Sequence, residues 1–138
     1  MEDVLHYLSN FYELCVFTAG EQVYADTVLD FIDKERSVIP HRLYRQHCVN
    51  PEPGIYVKDL RIIRDRDLKD IIIVDNSIVS FAFNLENGIP ISAFTGQPKD
   101  EELLYMVTFL EELYSEADVR TRIMQTFKLK DLMDEHSV

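Results

Sequence analysis

Residues 71–77 read Ile-Ile-Ile-Val-Asp-Asn-Ser, and no other stretch narrows the possible folds so far. Four successive β-branched apolar residues favour extended backbone. A run without hydrophobic–polar alternation predicts a strand covered on both faces, as in the middle of a parallel sheet. The strand then stops in three polar side chains, Asp75, Asn76 and Ser77. One explanation is local, since all three residue types cap helices well and a helix could follow the strand. The other is functional, because open α/β sheets bind ligands at the carboxyl ends of their strands.

The rest of the chain supplies elements that such a sheet needs. Val4, Leu5, Leu8, Phe11 and Tyr12 recur at helical spacing, and residues 14–20, Leu-Cys-Val-Phe-Thr-Ala-Gly, read as a buried strand opening into a loop. Tyr24, Val28, Phe31 and Ile32 give the apolar stripe of a second helix, with Glu21 and Asp26 near its start. Residues 42–49 read as a strand of mixed character. Pro51, Pro53 and Gly54 make a turn before a short strand over Ile55–Lys58. Residues 61–70 are a charged connector, residues 77–84 a short helix, and residues 87–94 a turn and a further strand. Residues 98–116 predict a helix with Pro98 in its first turn and a stripe of Leu103, Val107, Leu110 and Tyr114. Val119, Ile123 and Phe127 mark a last helix, and residues 128–138 a fraying tail. Strands alternating with helices at these lengths predict a Rossmann-like open parallel sheet with helices on both faces.

Composition bounds what such a fold can do. At 138 residues and 46% hydrophobic content the chain can build one core. Its formal charge of −11, with 25 acids against 14 bases, repels phosphate backbones and anionic lipid, so neither nucleic acid nor a charged membrane surface is an expected partner. No apolar stretch reaches the roughly 20 residues of a membrane span. The acidic start lacks the basic and apolar regions of a signal peptide, so an intracellular protein, in the nucleus or cytoplasm, is expected. Cys15 and Cys48 are too few for a disulfide framework and are expected to be reduced and packed. His41, His47 and Cys48 match no common zinc spacing.

Three predicted strands finish in complementary chemistry: Thr18, Lys58, and the pair Asp75 and Asn76. A hydroxyl and an ammonium suit phosphate oxygens, and a carboxylate with an amide carbonyl suits Mg²⁺. Taken singly, Thr18 could be an ordinary strand end and Lys58 a solvated lysine.

In order along the chain, "CVFTAG", "YADTVLDFID", "RLYRQHCV", "GIYVKDL", "IIIVDNS" and "NGIPI" resemble the catalytic domain of FCP/SCP-like phosphatases of the haloacid dehalogenase superfamily. The resemblance covers residues 5 to 127. It implies a C-terminal part of that domain over residues 1–127, and phosphoserine proteins such as the RNA polymerase II C-terminal domain as substrates. It also implies two-step phosphoryl transfer through an aspartyl-phosphate with Mg²⁺. By motif, Thr18 resembles the residue that hydrogen-bonds the phosphoryl group, Lys58 the cation that stabilises its charge, and Asp75 and Asn76 the metal-binding pair. The family signature, an Asp-x-Asp-x-Thr stretch before the "FTA" strand, supplies both catalytic aspartates and is not found here. The one Asp-x-Asp, Asp65-Arg66-Asp67, follows Lys58 and lacks the threonine, and Ile78 stands where many relatives have proline. The central strand of the family sheet is thus expected to be missing. Met1 falls inside what reads as the first helix, so a truncated form is the expectation. A non-catalytic relative that binds phosphopeptides or another protein is the alternative. A response-regulator receiver combines similar residue types, but in a different order.

Overall fold

The computed structural model describes residues 2–91 and 100–128. The chain divides into two compact units, residues 1–58 and 59–138, although no Gly- or Pro-rich linker marks the junction.

The first unit contains α1 (Glu2–Leu8), β1 (Cys15–Phe17), α2 (Gln22–Asp33), β2 (His41–Leu43), β3 (Val49–Glu52) and β4 (Ile55–Val57). β1 and β2 run parallel with Val16 opposite Arg42, and α2 is the crossover between them. β3 and β4 form an antiparallel hairpin whose turn holds Gly54 at φ +83°, a conformation that costs glycine little. The predicted mixed strand over residues 42–49 is broken into β2, a 3₁₀ turn over Arg45–His47 and the start of β3. α1 stops at Leu8, so Phe11 lies beyond the helix and is exposed.

α2 departs from expectation. Tyr24, Val28, Phe31 and Ile32, the predicted core stripe, are exposed, whereas Leu29 and Asp33 are buried. The cause is Arg42, whose side chain is almost wholly enclosed. Its guanidinium donates to Asp26 at 3.1 Å, to Asp30 at 2.8 Å and to the Asp33 carbonyl at 3.1 Å. A buried cation must be paired, and Asp26 and Asp30, one turn apart on α2, supply the carboxylates, so Arg42 draws that edge of the helix toward β2 although Asp30 stays exposed. The Tyr44 hydroxyl also donates to Asp26, and this bond comes first in holding that carboxyl below its usual range. The Asp33 carboxylate fixes the loop after α2 by accepting from the backbone amides of Ser37, Val38 and Ile39, the last at 2.7 Å.

The second unit contains β5 (Ile73–Asp75), β6 (Gly88–Pro90), α3 (Asp100–Tyr114) and α4 (Val119–Phe127). A kinked 3₁₀ segment, Ile78–Asn87, joins β5 to β6, which pair in parallel with Ile73 opposite Gly88. Leu60, Ile71, Ile73 and the fully enclosed Phe81 form the core, and Phe127 packs against it. Ile71 and Ile73 are buried, but Ile72 and Val74 are only half-buried, so the expected two-sided cover of this strand is not found. The described strands form three two-stranded sheets, with β1 and β5 in separate ones, and each strand has a single ladder partner. Two buried amides tie the connector to the 3₁₀ segment. Asn84 accepts from the Leu60 amide at 2.9 Å, and Asn87 donates to the carbonyls of Leu68 at 2.6 Å and Ile71 at 2.8 Å. The stripe of α3 is also shifted: Phe109, Leu110 and Leu113 are buried and Tyr114 is exposed. α4 buries Val119 and Ile123 as predicted, and Asp118 caps it through the Arg120 amide. The predicted strand residues 92–94, Pro98 and the tail beyond Lys128 lie outside the described residues.

Candidate functional site

In the first unit the loop that leaves β1 is held by hydrogen bonds at every step. The Thr18 amide donates to the Leu43 carbonyl at 3.0 Å, which extends the β1–β2 ladder by one residue. The Gly20 amide donates to Thr18 Oγ1 at 3.0 Å, so the hydroxyl is oriented by the loop and its own hydrogen remains to be donated. A Cβ on Gly20 would lie 3.2 Å from that oxygen, a tight contact that a larger residue could make only if the Thr18 hydroxyl shifted by a few tenths of an ångström.

Arg45, not singled out from the sequence, closes over the same loop. Its Nε donates to the Ala19 carbonyl at 2.7 Å, its amide donates to the Gly20 carbonyl at 3.2 Å, and its guanidinium stacks 4.9 Å above the Tyr56 ring. The sequence signal was present, since Arg45 begins the 3₁₀ turn inside "RLYRQHCV". Two residues after a strand end, a basic residue is a candidate anion ligand.

Cys48 connects this loop to Lys58. Its thiol lies 4.0 Å from the Thr18 carbonyl and 3.8 Å from that of Tyr44. The hairpin register, with Val49 opposite Val57, brings Cys48 across from Lys58. Burial pushes the Cys48 thiol up, and the charges of Lys58 and Arg45 pull it back part of the way. The Thr18 carbonyl thus contacts a thiol on which the charges of Arg45 and Lys58 act, and Lys58 is buried rather than solvated. Cys15 is free but exposed, contrary to the expected packing, because β1 turns its first side chain to solvent.

The histidines are engaged locally. His47 Nδ1 accepts from the Tyr44 amide at 2.9 Å, and His41 pairs with Glu13.

Asp75 and Asn76 belong to the second unit. Asp75 ends β5, half-buried, and its Oδ1 accepts from the Ser77 amide at 2.9 Å. The capping alternative takes this form only: Ser77 occupies the cap position of the 3₁₀ segment without a side-chain bond, while Asp75 makes a tight local turn. Asn76 is exposed beside it. A carboxylate and an amide carbonyl are the right donor types for Mg²⁺, which binds through one or two carboxylates, waters and substrate phosphates. The set is partial, since among the described residues no three His, Cys, Asp or Glu gather as a metal cluster.

Residues 1–120 match the profile of the NLI interacting factor-like phosphatases. The chain is 44% identical over 134 residues to CTD small phosphatase-like protein 2 of Dictyostelium discoideum, covering 97% of this chain and 23% of that protein. It is 38% identical over 117 residues to CTD nuclear envelope phosphatase 1B of Danio rerio, covering 85% of this chain and 47% of that protein. The chain thus spans less than half of these relatives. A solved fission yeast RNA polymerase II CTD phosphatase, Fcp1, bound to beryllium fluoride, aligns with a TM-score of 0.58 at 22% identity, over 94% of this chain and 38% of that one. That likeness shows the α/β, haloacid-dehalogenase-like fold expected from the sequence. With the family profile matched over residues 1–120 and relatives of 38% and 44% identity over most of the chain, the chain belongs to the NLI interacting factor-like, FCP/SCP-type phosphatase family.

Proposed function

We propose that this chain is the phosphate-binding portion of a Mg²⁺-dependent phosphoserine/phosphothreonine protein phosphatase that works through an aspartyl-phosphate. The observation that supports the reading is that Arg45 bonds the loop of Thr18 and Gly20, and that Cys48, in contact with the Thr18 carbonyl, stands across the hairpin from the buried Lys58. A hydroxyl donor, a planar guanidinium and a buried ammonium are the groups that hold a phosphoryl oxygen and offset its charge in the transition state. In the second unit Asp75 and Asn76 are the proposed magnesium ligands. When bound, the ion would neutralise phosphoryl charge. Thr18 orients the phosphate by donating its hydroxyl hydrogen, and Lys58 and Arg45 stabilise the growing negative charge. None of them replaces a carboxylate nucleophile, and no Asp-x-Asp-x-Thr occurs in the 138 residues.

The substrate class proposed is a phosphoprotein in the nucleus or cytoplasm, in keeping with relatives named CTD and nuclear envelope phosphatases. No described helix is long and apolar enough to cross a membrane. The missing Asp-x-Asp-x-Thr favours a second reading, a non-catalytic module that binds phosphopeptide.

The test is to express residues 1–138 alone and joined to whatever sequence the transcript encodes upstream. The enzyme reading expects Mg²⁺-dependent hydrolysis of a phosphoserine peptide from the longer protein, lost in Lys58→Ala, and none from residues 1–138. An in-frame stop directly upstream, with peptide bound but never hydrolysed, favours the module. Turnover by residues 1–138 that depends on Lys58 contradicts both.

A further inference from the structure

The turn that carries Arg45 is too short to hold itself. It is a 3₁₀ piece of three residues, Arg45–His47, entered from the end of β2 through Tyr44 in extended conformation. A single turn of this kind has poor hydrogen-bond geometry and fixes several dihedrals for each bond it gains, so its shape depends on side chains that tie it down.

Two residues do so. Tyr44 is buried, and its hydroxyl donates to Asp26 on α2, which fixes the entry to the turn. His47 closes the exit. Its amide donates to the Tyr44 carbonyl at 2.8 Å and its Nδ1 accepts from the Tyr44 amide at 2.9 Å, so the two residues are bonded in both directions. The imidazole also lies 6.0 Å from the Tyr44 ring, centroid to centroid, within the range of aromatic pairs. Where a side chain in the first helical turn reaches back to the amide of the cap residue, it is ordinarily Glu or Gln. Here an imidazole does it, and only as the neutral ring with its hydrogen on Nε2.

Building on the phosphate-binding reading above, we infer that His47 is a positioning residue for that site, acting through Arg45. Arg45 lies between the two bonded residues. Its amide donates to the Gly20 carbonyl at 3.2 Å and its Nε to the Ala19 carbonyl at 2.7 Å, so the path of the turn decides where the guanidinium stands over the loop. Recognition of phosphate by a guanidinium depends on the direction of its fork. His47 itself is exposed, so substituting it leaves the core of the first unit intact.

The test follows residues 1–138 and variants by amide hydrogen exchange and by titration with inorganic phosphate, read at the amides of Thr18, Ala19 and Gly20, with circular dichroism as the folding control. His47→Leu should speed exchange of the Tyr44 amide and weaken phosphate binding about fivefold, the size of one lost hydrogen bond. His47→Gln supplies the acceptor ordinarily found at this position and should recover most of both. In an Arg45→Met background His47→Leu should change the affinity by less than about twofold, whereas a general loosening of the unit would cost the same in both backgrounds. Tyr44 exchange or phosphate affinity unchanged in His47→Leu, no recovery in His47→Gln, or an equal loss with and without Arg45 would overturn the inference while leaving the site itself standing. Failure of the unaltered chain to bind phosphate at those amides would overturn the proposed site, and the role of His47 with it.

Discussion

Gly88→Ala isolates one contact at the centre of the second unit. Gly88 begins β6 opposite Ile73 of β5, and a Cβ built there would lie 2.1, 2.2 and 2.8 Å from three ring atoms of Phe81. Carbon atoms pack at about 3.5–4.0 Å, so the ring must withdraw by more than about 1 Å. Phe81 is fully enclosed by Leu60, Ile71 and Ile73, which denies it that room. Overpacking of this kind costs about 1–3 kcal/mol. The backbone term runs the other way: Gly88 sits at φ −104°, ψ 132°, an extended conformation that alanine adopts freely, and restricting the unfolded chain stabilises by about 0.4–1 kcal/mol. The expected net loss is about 1–2 kcal/mol. Urea unfolding should show a lower midpoint with an unchanged slope. Phe81→Leu frees the space, so in that background Gly88→Ala should cost much less, a coupling of about 1 kcal/mol in a double-mutant cycle. A neutral or stabilising Gly88→Ala, or an equal cost in both backgrounds, would refute the packing described for this core.

Arg42→Met removes the cation that turns α2 and leaves Asp26 and the Asp33 carbonyl without it; a loss of about 2 kcal/mol is expected in urea unfolding. The Asp33 carboxyl, held below its ordinary value of 3.8 first by the Ile39 amide, binds its proton less readily folded than unfolded. Its stabilisation is therefore complete above the unfolded value and fades as pH falls through the lower folded one. Asp33→Asn should flatten stability against pH at that acid end while leaving neutral pH dependence alone. Asn87→Asp replaces an amide that donates to two carbonyls with an acceptor, and should cost about 2–4 kcal/mol in thermal unfolding.

Sequence reasoning went furthest where local chemistry decides. The Gly54 turn, the last helix with Val119 and Ile123 on its buried side, and the placing of Thr18 and Asp75 at the ends of β1 and β5 all follow from residue type and short-range spacing. It failed where a distant residue decides. α2 has apolar and acidic stripes of similar extent, and only Arg42, nine residues beyond its end, selects which of them faces the sheet. Likewise Ile71–Val74 read as a strand covered on both sides, but its cover depends on neighbours that a window of residues does not contain. The role of Arg45 depends on how the loop of Thr18 and Gly20 returns beneath it, which no local pattern encodes. Cys15 differs from the packed expectation because a three-residue strand leaves its first side chain at the surface.

The central claim is that Thr18, Arg45 and Lys58 form a phosphoryl-binding site in the first unit. The most direct measurement is a titration of residues 1–138 with inorganic phosphate and with a phosphoserine peptide, followed by backbone amide chemical shifts. Saturable shifts at Thr18, Ala19 and Gly20 are predicted, abolished by Lys58→Ala and strongly reduced by Arg45→Met, with unphosphorylated peptide silent. Shifts elsewhere in the chain that leave those amides unmoved, or binding indifferent to both substitutions, would contradict it.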